Sequence, residues 1–133
     1  MRLADDTDLP AVIALQQAAY AHNRDLLGVE PLPLRADYAQ VFEEYEVWLM
    51  DHDSGLIGAL ILEPRVDDML IWSIATAPEA QQHGIGRLMM QTAETRAAQF
   101  GFTTIRLFTG SPLTHLIDWY SRLGYEVERT EQL

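Results

Sequence analysis

The sequence predicts a mixed α/β or α+β sandwich, a β-sheet flanked by helices, and three observations point to it. Apolar residues recur at helical spacing in some segments and in short β-type runs in others, in the order two helices, three strands, helix, strand, helix, strand. The third strand leads through a glycine-containing junction into a long helical segment. A chain of 133 residues with 48% hydrophobic side chains, no internal repeat and no low-complexity tract suits a single domain spanning residues 1–133.

Arg2-Leu3-Ala4 is barely a strand. Asp8 suits the N-cap of a first helix carrying Leu9, Val12, Ile13 and Tyr20 on roughly one face and ending near His22-Asn23. Gly28-Val29-Glu30-Pro31-Leu32-Pro33 reads as a loop from its glycine and prolines. Leu34, Tyr38, Val41, Phe42 and Tyr45 then recur at helical spacing and predict a second helix. Val47-Trp48-Leu49-Met50 and Leu56 to Leu62 are β-type runs on either side of Asp51-His52-Asp53-Ser54-Gly55, whose turn-forming residues predict an antiparallel hairpin.

After the charged patch Glu63 to Asp68, Met69 to Thr76 forms the third strand, which Pro78 closes. Beyond Gly86, the residues Leu88, Met89, Ala93, Ala97 and Phe100 lie close to one helical face, leaving Arg87, Gln91, Glu94 and Gln99 to water; Gly101 reads as the C-terminal cap. Thr103 to Thr109 follows as a strand. Ser111-Pro112 then opens a helix with Leu113, Leu116, Ile117, Tyr120 and Leu123 inward, Gly124 stops it, and Tyr125 to Glu128 is the last strand.

Composition narrows the function. Lys+Arg 9 against Asp+Glu 20 gives a net charge of −11, which repels phosphate backbones and anionic membrane surfaces. Neither nucleic acid nor a membrane is expected as a partner, and the charge suits a cationic substrate such as an amine as well as simple solubility. The absence of cysteine excludes disulfides, a Cys nucleophile and thiolate zinc sites. The run Leu56 to Leu62 is far short of the ~20 residues that span a bilayer, and Asp5, Asp6 and Asp8 spoil a signal peptide, so a soluble, cytoplasmic protein is expected. His22, His52, His83 and His115 are scattered with no His-x-x-x-His pair, so no metal is expected.

The most informative segment is the strand, Pro78, Gln81 to Gly86 and the long helix. Glycines at such a junction let backbone N–H groups approach an anion at the positive end of the helix dipole, and a phosphate is the natural guest. By itself Gly84-Ile85-Gly86 also suits an ordinary tight turn, and it fits neither the dinucleotide fingerprint, whose third glycine would fall at Met89, nor a P-loop.

Pro78-Glu79-Ala80-Gln81-Gln82-His83-Gly84-Ile85-Gly86-Arg87-Leu88-Met89 resembles the Arg/Gln-x-x-Gly-x-Gly/Ala signature of the GNAT family of N-acetyltransferases. Independently, Trp119-Tyr120-Ser121-Arg122-Leu123-Gly124-Tyr125 resembles the Phe-Tyr-x-x-x-Gly-Phe/Tyr segment near the end of that family. Motif order and element order agree from Leu3 to the C-terminus, so the resemblance covers nearly the whole chain.

The resemblance implies a GNAT-like three-layer sandwich with a mixed, splayed β-sheet and acetyl-CoA wedged between the strand ending at Thr76 and the strand beginning at Thr103. It implies a cofactor-binding stretch of Ile74, Ala75 and Thr76 in which backbone groups of Ile74 and Thr76 pair with the pantetheine arm as with a neighbouring strand, and an N–H near Ile74 polarises the thioester carbonyl. Gln81, Gln82, His83, Gly84, Ile85, Gly86 and Arg87 would hold the pyrophosphate. Tyr120 matches the family tyrosine whose hydroxyl donates toward the CoA sulfur.

Two positions depart from the family pattern. Several members carry a Glu on the strand before the phosphate loop, where this chain reads Ile71-Trp72-Ser73-Ile74; Glu63, Asp67 and Asp68 are then the candidate bases, although each also suits a solvated turn. The family often has an Asn where Leu113 stands. The acceptor pocket would involve His22 to Tyr38 and the strand edges, with Asp25, Glu30 and Asp37 facing a cationic amine and Tyr20, Tyr38 and Trp72 as an apolar wall.

The activity implied is acetyl transfer to a small-molecule amine or a protein amino group by direct attack, since no Cys nucleophile exists and no Ser-His pair is evident. A non-catalytic acyl-CoA-binding or regulatory domain is the alternative, and a nucleotide-binding module a third. Homodimerisation is common in the family, and a nearly missing first strand leaves a sheet edge to cover.

Overall fold

A computed structural model describes residues 1–27, 37–53, 55–80 and 84–107. Strands β1 (Arg2–Leu3), β2 (Glu46–His52), β3 (Gly55–Pro64), β4 (Met69–Thr76) and β5 (Ile105–Leu107) lie side by side in that order in one sheet. Neighbours from β1 to β4 are antiparallel, and β5 runs parallel to β4, which makes the sheet mixed and open. Helices α1 (Leu9–Leu27), α2 (Tyr38–Glu44) and α3 (Ile85–Gln99) cover it.

The two faces can be assigned from β3 and β4. Gly58 of β3 faces Ile85 and Met89 of α3, whereas Ser73, paired with Ile61, is hydrogen-bonded to Gln16 of α1. Residues 58 and 61 are an odd number of positions apart, so α1 and α3 lie on opposite faces. This is the predicted three-layer sandwich. Burial on both faces explains why Ala59, Leu60, Ile61 and Leu62 are all 0% exposed and read as an unbroken apolar run rather than an alternating one. Each such Leu or Ile contributes about 2 kcal/mol relative to leaving it in water.

Several boundaries differ from expectation, each for a local reason. The first helical cap is Asp5, not Asp8: the Asp5 carboxylate accepts from Thr7 N–H (2.9 Å) and Asp8 reaches back to Asp5 N–H (2.9 Å), a reciprocal box around the turn Asp6–Asp8. Helix α1 continues past His22-Asn23 to Leu27, since no Gly or Pro interrupts the chain before Gly28. Helix α2 starts at Tyr38, where Asp37 caps Ala39 N–H at 3.1 Å; Leu34 lies outside the described residues.

On α3 the buried stripe is Ile85, Met89, Ala93 and Ala97 with Met90, while Leu88 and Phe100 are 43% and 45% exposed. The expected face included both. Leu88 sits one position off the i, i+4 row, and Phe100 lies past the helix end, stacked on Phe102 at 5.7 Å. Gly101 has φ 81°, as the residue after a helix C-cap often does. The expected helix after Ser111-Pro112 and the strand Tyr125 to Glu128 lie outside the described residues.

Candidate functional site

The site begins with a change of register. Ile61 and Leu62 of β3 pair with Ser73 and Ile71 of β4, so Trp72 is an extra residue in β4, a bulge. Before the bulge, Arg65 N–H donates to the Asp68 carbonyl at 2.9 Å, which makes Leu70 the next β4 residue bonded to β3; Met69 N–H donates the other way, to Thr104 at 3.1 Å. After the bulge, Ala77 N–H donates to the Ile57 carbonyl at 2.9 Å, so Ala75 and Ser73 are the residues bonded to β3. The N–H and C=O of Ile74 and Thr76 therefore point away from β3. On that side, the described pairing with β5 covers Met69 to Ile71 only.

A second anchor lies at the start of α3. Gly84 is the helix N-cap with φ 78° and ψ 5°, and among the described residues no side chain caps the helix there. A Cβ on Gly84 would meet nothing within 4 Å, so the approach to the first turn is open among the described residues. Its N–H groups carry the positive end of the helix dipole, no acidic residue stands in the first turn, and exposed Arg87 adds a cation. Gly58 seats this helix closely: a Cβ there would lie 3.2 Å from Ile85 Cγ2, tighter than an ordinary contact, and 3.4 Å from Met89 Sδ, so a side chain at 58 would make Ile85 give way by a few tenths of an ångström. An outward row of main-chain groups beside an uncapped helix start suits a ligand with an amide-bearing arm and a phosphate.

On the α1 side the bulge places Trp72 and Ser73 together on one face. Gln16, 1% exposed, donates from Nε2 to the Tyr38 hydroxyl and to Ser73 Oγ, both at 2.9 Å. The Tyr20 hydroxyl lies 2.9 Å from Ser73 Oγ and donates to the Ile74 carbonyl at 3.3 Å. Gln16 Oε1 has no partner among the described residues. Burial pushes the Tyr20 and Tyr38 phenols above their ordinary value, so both stay protonated at neutral pH.

Farther out, Asp37, Gln40, Val41, Glu44, Tyr45 and Trp72 line a shallow, open cleft. Trp72 meets Tyr45 at 5.7 Å between ring centroids and the edge of Tyr38 at 6.2 Å. Partial burial, then the carboxylates of Glu63 and Glu44, push the Tyr45 phenol up.

The structure removes Asp68 from the candidate bases and from the solvated turn. It is 4% exposed, and its carboxylate takes Arg65 at 2.6 and 2.7 Å together with Arg106. The Arg65 hydrogen bond chiefly, with that from Arg106, holds its carboxyl at about 2, far too acidic to take a proton from an amine. It also stands about 20 Å along β4 from Ile74. Asp67 is exposed in the same turn, and Glu63 pairs with Leu70, about 13 Å from Ile74 along the strand.

Of the site residues expected from the sequence, Ile74 and Thr76 turn their main chain away from β3, Ala75 between them is bonded to β3, and Gly84, Ile85, Gly86 and Arg87 form the start of α3. Gln81, Gln82, His83 and Tyr120 lie outside the described residues, as do Glu30, Leu113 and the side chain of Asp25. Tyr38 is core rather than pocket wall. Gln16, Gln40, Ser73, Glu44 and Tyr45 were missed, although Gln16 stands on the Val12-Gln16-Tyr20 row, where a polar residue in an apolar stripe is a signal. Among the described residues no group of His, Cys, Asp and Glu converges as for a metal ion, and no helix is long and apolar enough to cross a membrane.

This fold is that of known N-acetyltransferases. The PaiA N-acetyltransferase of Thermoplasma acidophilum, solved with coenzyme A, superposes with a TM-score of 0.81 at 17% identity, over 98% of this chain and 91% of that one. The ribosomal-protein-S18-alanine N-acetyltransferase of Escherichia coli superposes with a TM-score of 0.75 at 22% identity, over 92% of this chain and 74% of that one. In sequence, the uncharacterized N-acetyltransferase YvbK of Bacillus subtilis (strain 168) is 26% identical over 92 residues, 69% of this chain; the match spans 58% of that relative's length. The model of the acetyltransferase (GNAT) family matches residues 11–125, and the chain belongs to that family.

Proposed function

We propose that the protein is an acetyl-CoA-dependent N-acetyltransferase that moves an acetyl group to a primary amine, either a small molecule or a protein amino group, by direct attack on the thioester. The observation that carries this reading is the outward main chain of Ile74 and Thr76 lying in the same fold as the uncapped glycine start of α3. Family membership and the coenzyme A bound to the PaiA enzyme support it.

Acetyl-CoA, when bound, supplies the acetyl group in activated form. Ile74 N–H donates to the thioester oxygen and strengthens its hold as negative charge grows there, a fixed dipole that needs no side chain. Thr76 pairs with the pantetheine arm, and Gly84, Ile85, Gly86 and Arg87, with Gln81, Gln82 and His83, hold the pyrophosphate. The new N–C bond forms as the C–S bond breaks. Tyr120, with a reference pKa of about 10, gives its proton to the departing thiolate. No Cys is present to form an acyl-enzyme, so the amine attacks directly.

The Asp37 and Glu44 carboxylates and the Trp72 and Tyr45 rings of the cleft attract a cationic acceptor. Ile71 to Ile74 include no carboxylate, so this stretch supplies no base, and the amine must lose its proton before it attacks; turnover rises with pH toward the amine's own pKa.

Thermal shift with acetyl-CoA, CoA, ATP and NAD side by side tests the donor, because a ligand at ~100 times its Kd adds about 2.7 kcal/mol to the native state. Stabilisation by CoA species alone, followed by thiol release with a panel of amines, is the expected result. The strand without a carboxylate also favours a second reading, a non-catalytic acyl-CoA-binding domain; tight CoA binding with no thiol release from any amine decides for it.

A further inference from the structure

We infer that the acceptor carries two amines, one that reacts and a second that stays charged and sits in the cleft, against the Trp72 and Tyr45 rings and within reach of the Asp37 and Glu44 carboxylates. This deepens the acetyl-transfer reading above and rests on it. Carboxylates and ring faces favour the protonated form of any amine beside them. A nucleophilic amine needs the reverse, because it attacks only after losing its proton. A nitrogen seated in this cleft is therefore held in the form that cannot react, and the nitrogen that reacts is a different one.

The negative charge of the cleft is uncommitted. Among the described residues Arg2 pairs with Asp8 and Asp51, Arg96 with Glu46, and Arg65 and Arg106 with Asp68, while neither Asp37 nor Glu44 has an ion pair. The Asp37 carboxylate accepts from Ala39 N–H at 3.1 Å, and that of Glu44 from the Gln40 amide at 3.2 Å. Both acids are exposed, so an incoming cation reaches them. They stand about 10 Å apart along one face of α2, with half-buried Trp72 and Tyr45 alongside.

Strand geometry sets the separation of the two nitrogens. Trp72 lies about 7 Å along β4 from Ile74, whose N–H takes the thioester oxygen in that reading. Trp72 and Ser73 face α1, so the cleft opens on the side of the sheet opposite α3 and leaves the glycine start of that helix to the donor. An extended carbon chain covers about 1.2 Å per bond, so a diamine reaching from the rings to the thioester has roughly five carbons or more between its nitrogens.

The test compares kcat/KM for pentylamine and for cadaverine, the diamine of the same length, by thiol release from acetyl-CoA. Wild type is expected to favour cadaverine at least about tenfold, beyond the roughly twofold that two equivalent ends supply. Glu44→Gln should cut that preference about threefold or more, and Glu44→Gln with Asp37→Asn should cut it to about twofold, with the cap on Ala39 kept by the Asn side chain. Glu43→Gln removes a charge from an exposed neighbour outside the cleft and should keep the preference. Melting temperature and acetyl-CoA Kd establish that each variant is folded.

Thiol release from both amines with equal kcat/KM overturns the inference and leaves the acetyl-transfer reading standing. So does a preference for cadaverine that the double variant retains, or that Glu43→Gln lowers as much as Glu44→Gln. No thiol release from any amine, with acetyl-CoA bound, overturns the acetyl-transfer reading and the inference together.

Discussion

Replacing Gly84 by Asn and by Asp separates the shape of the α3 start from its charge. Gly84 has φ 78°, a left-handed backbone that costs an L side chain about 1–2 kcal/mol, with Asn and Asp at the low end. No further steric cost is expected from the described residues, none of which comes within 4 Å of a Cβ at this position. Both variants should therefore lose about 1 kcal/mol of stability and melt roughly 4 °C lower. What differs is one negative charge. A carboxylate about 6 Å from a bound phosphate charge, at an effective dielectric constant of about 20, costs roughly 3 kcal/mol, or about 100-fold in affinity. Calorimetry with acetyl-CoA should give an Asn variant within about fivefold of wild type and an Asp variant about 100-fold weaker, the gap narrowing as salt is added. Equal affinity in the Asn and Asp variants would refute the assignment of an anion to this helix start.

Gly58→Val should act on the same site from beneath: its methyls overlap Ile85 and Met89, costing about 1–3 kcal/mol and pushing the first turn of α3 outward, so acetyl-CoA affinity falls although residue 58 touches no ligand. Asp68→Asn should cost about 2 kcal/mol at neutral pH, because Arg65 and Arg106 lose the carboxylate that joins them. The folded-state pKa of Asp68 is depressed to about 2, so its contribution is complete above the ordinary carboxylate value of about 3.9 and is lost as pH falls through about 2. Denaturant melts of wild type and variant should converge over that window. Tyr120→Phe should lower turnover and leave acetyl-CoA affinity nearly intact; unchanged turnover removes Tyr120 from the mechanism.

Local rules account for what was legible early. The strand Met69–Thr76, the hairpin before it and the glycine start of the long helix depend on apolar periodicity and turn chemistry, which neighbouring residues decide among themselves. The glycine junction was visible for the same reason. The buried stripe of α3 was less clear, because Leu88 and Ile85 are equally apolar and only the sheet beneath selects the row that contains Ile85. Asp68 reads as a surface acid in the sequence because one of its two arginines, Arg106, is 38 residues further along the chain and meets it only when β5 pairs with β4.

By itself, then, the sequence determined the order of elements through the strand Ile105–Leu107, the acidic charge and the family motifs, all of which reside in short windows or in composition. Tertiary structure decided which face each group serves. The bulge at Trp72 depends on how many residues of β3 stand opposite β4, a count that neither strand contains alone. One extra residue turns the main chain of Ile74 and Thr76 away from β3 and sets Ser73 against Gln16 and Tyr20. Hydrogen-bond direction along a strand follows pairing rather than side-chain identity, so it first becomes readable when the strands meet.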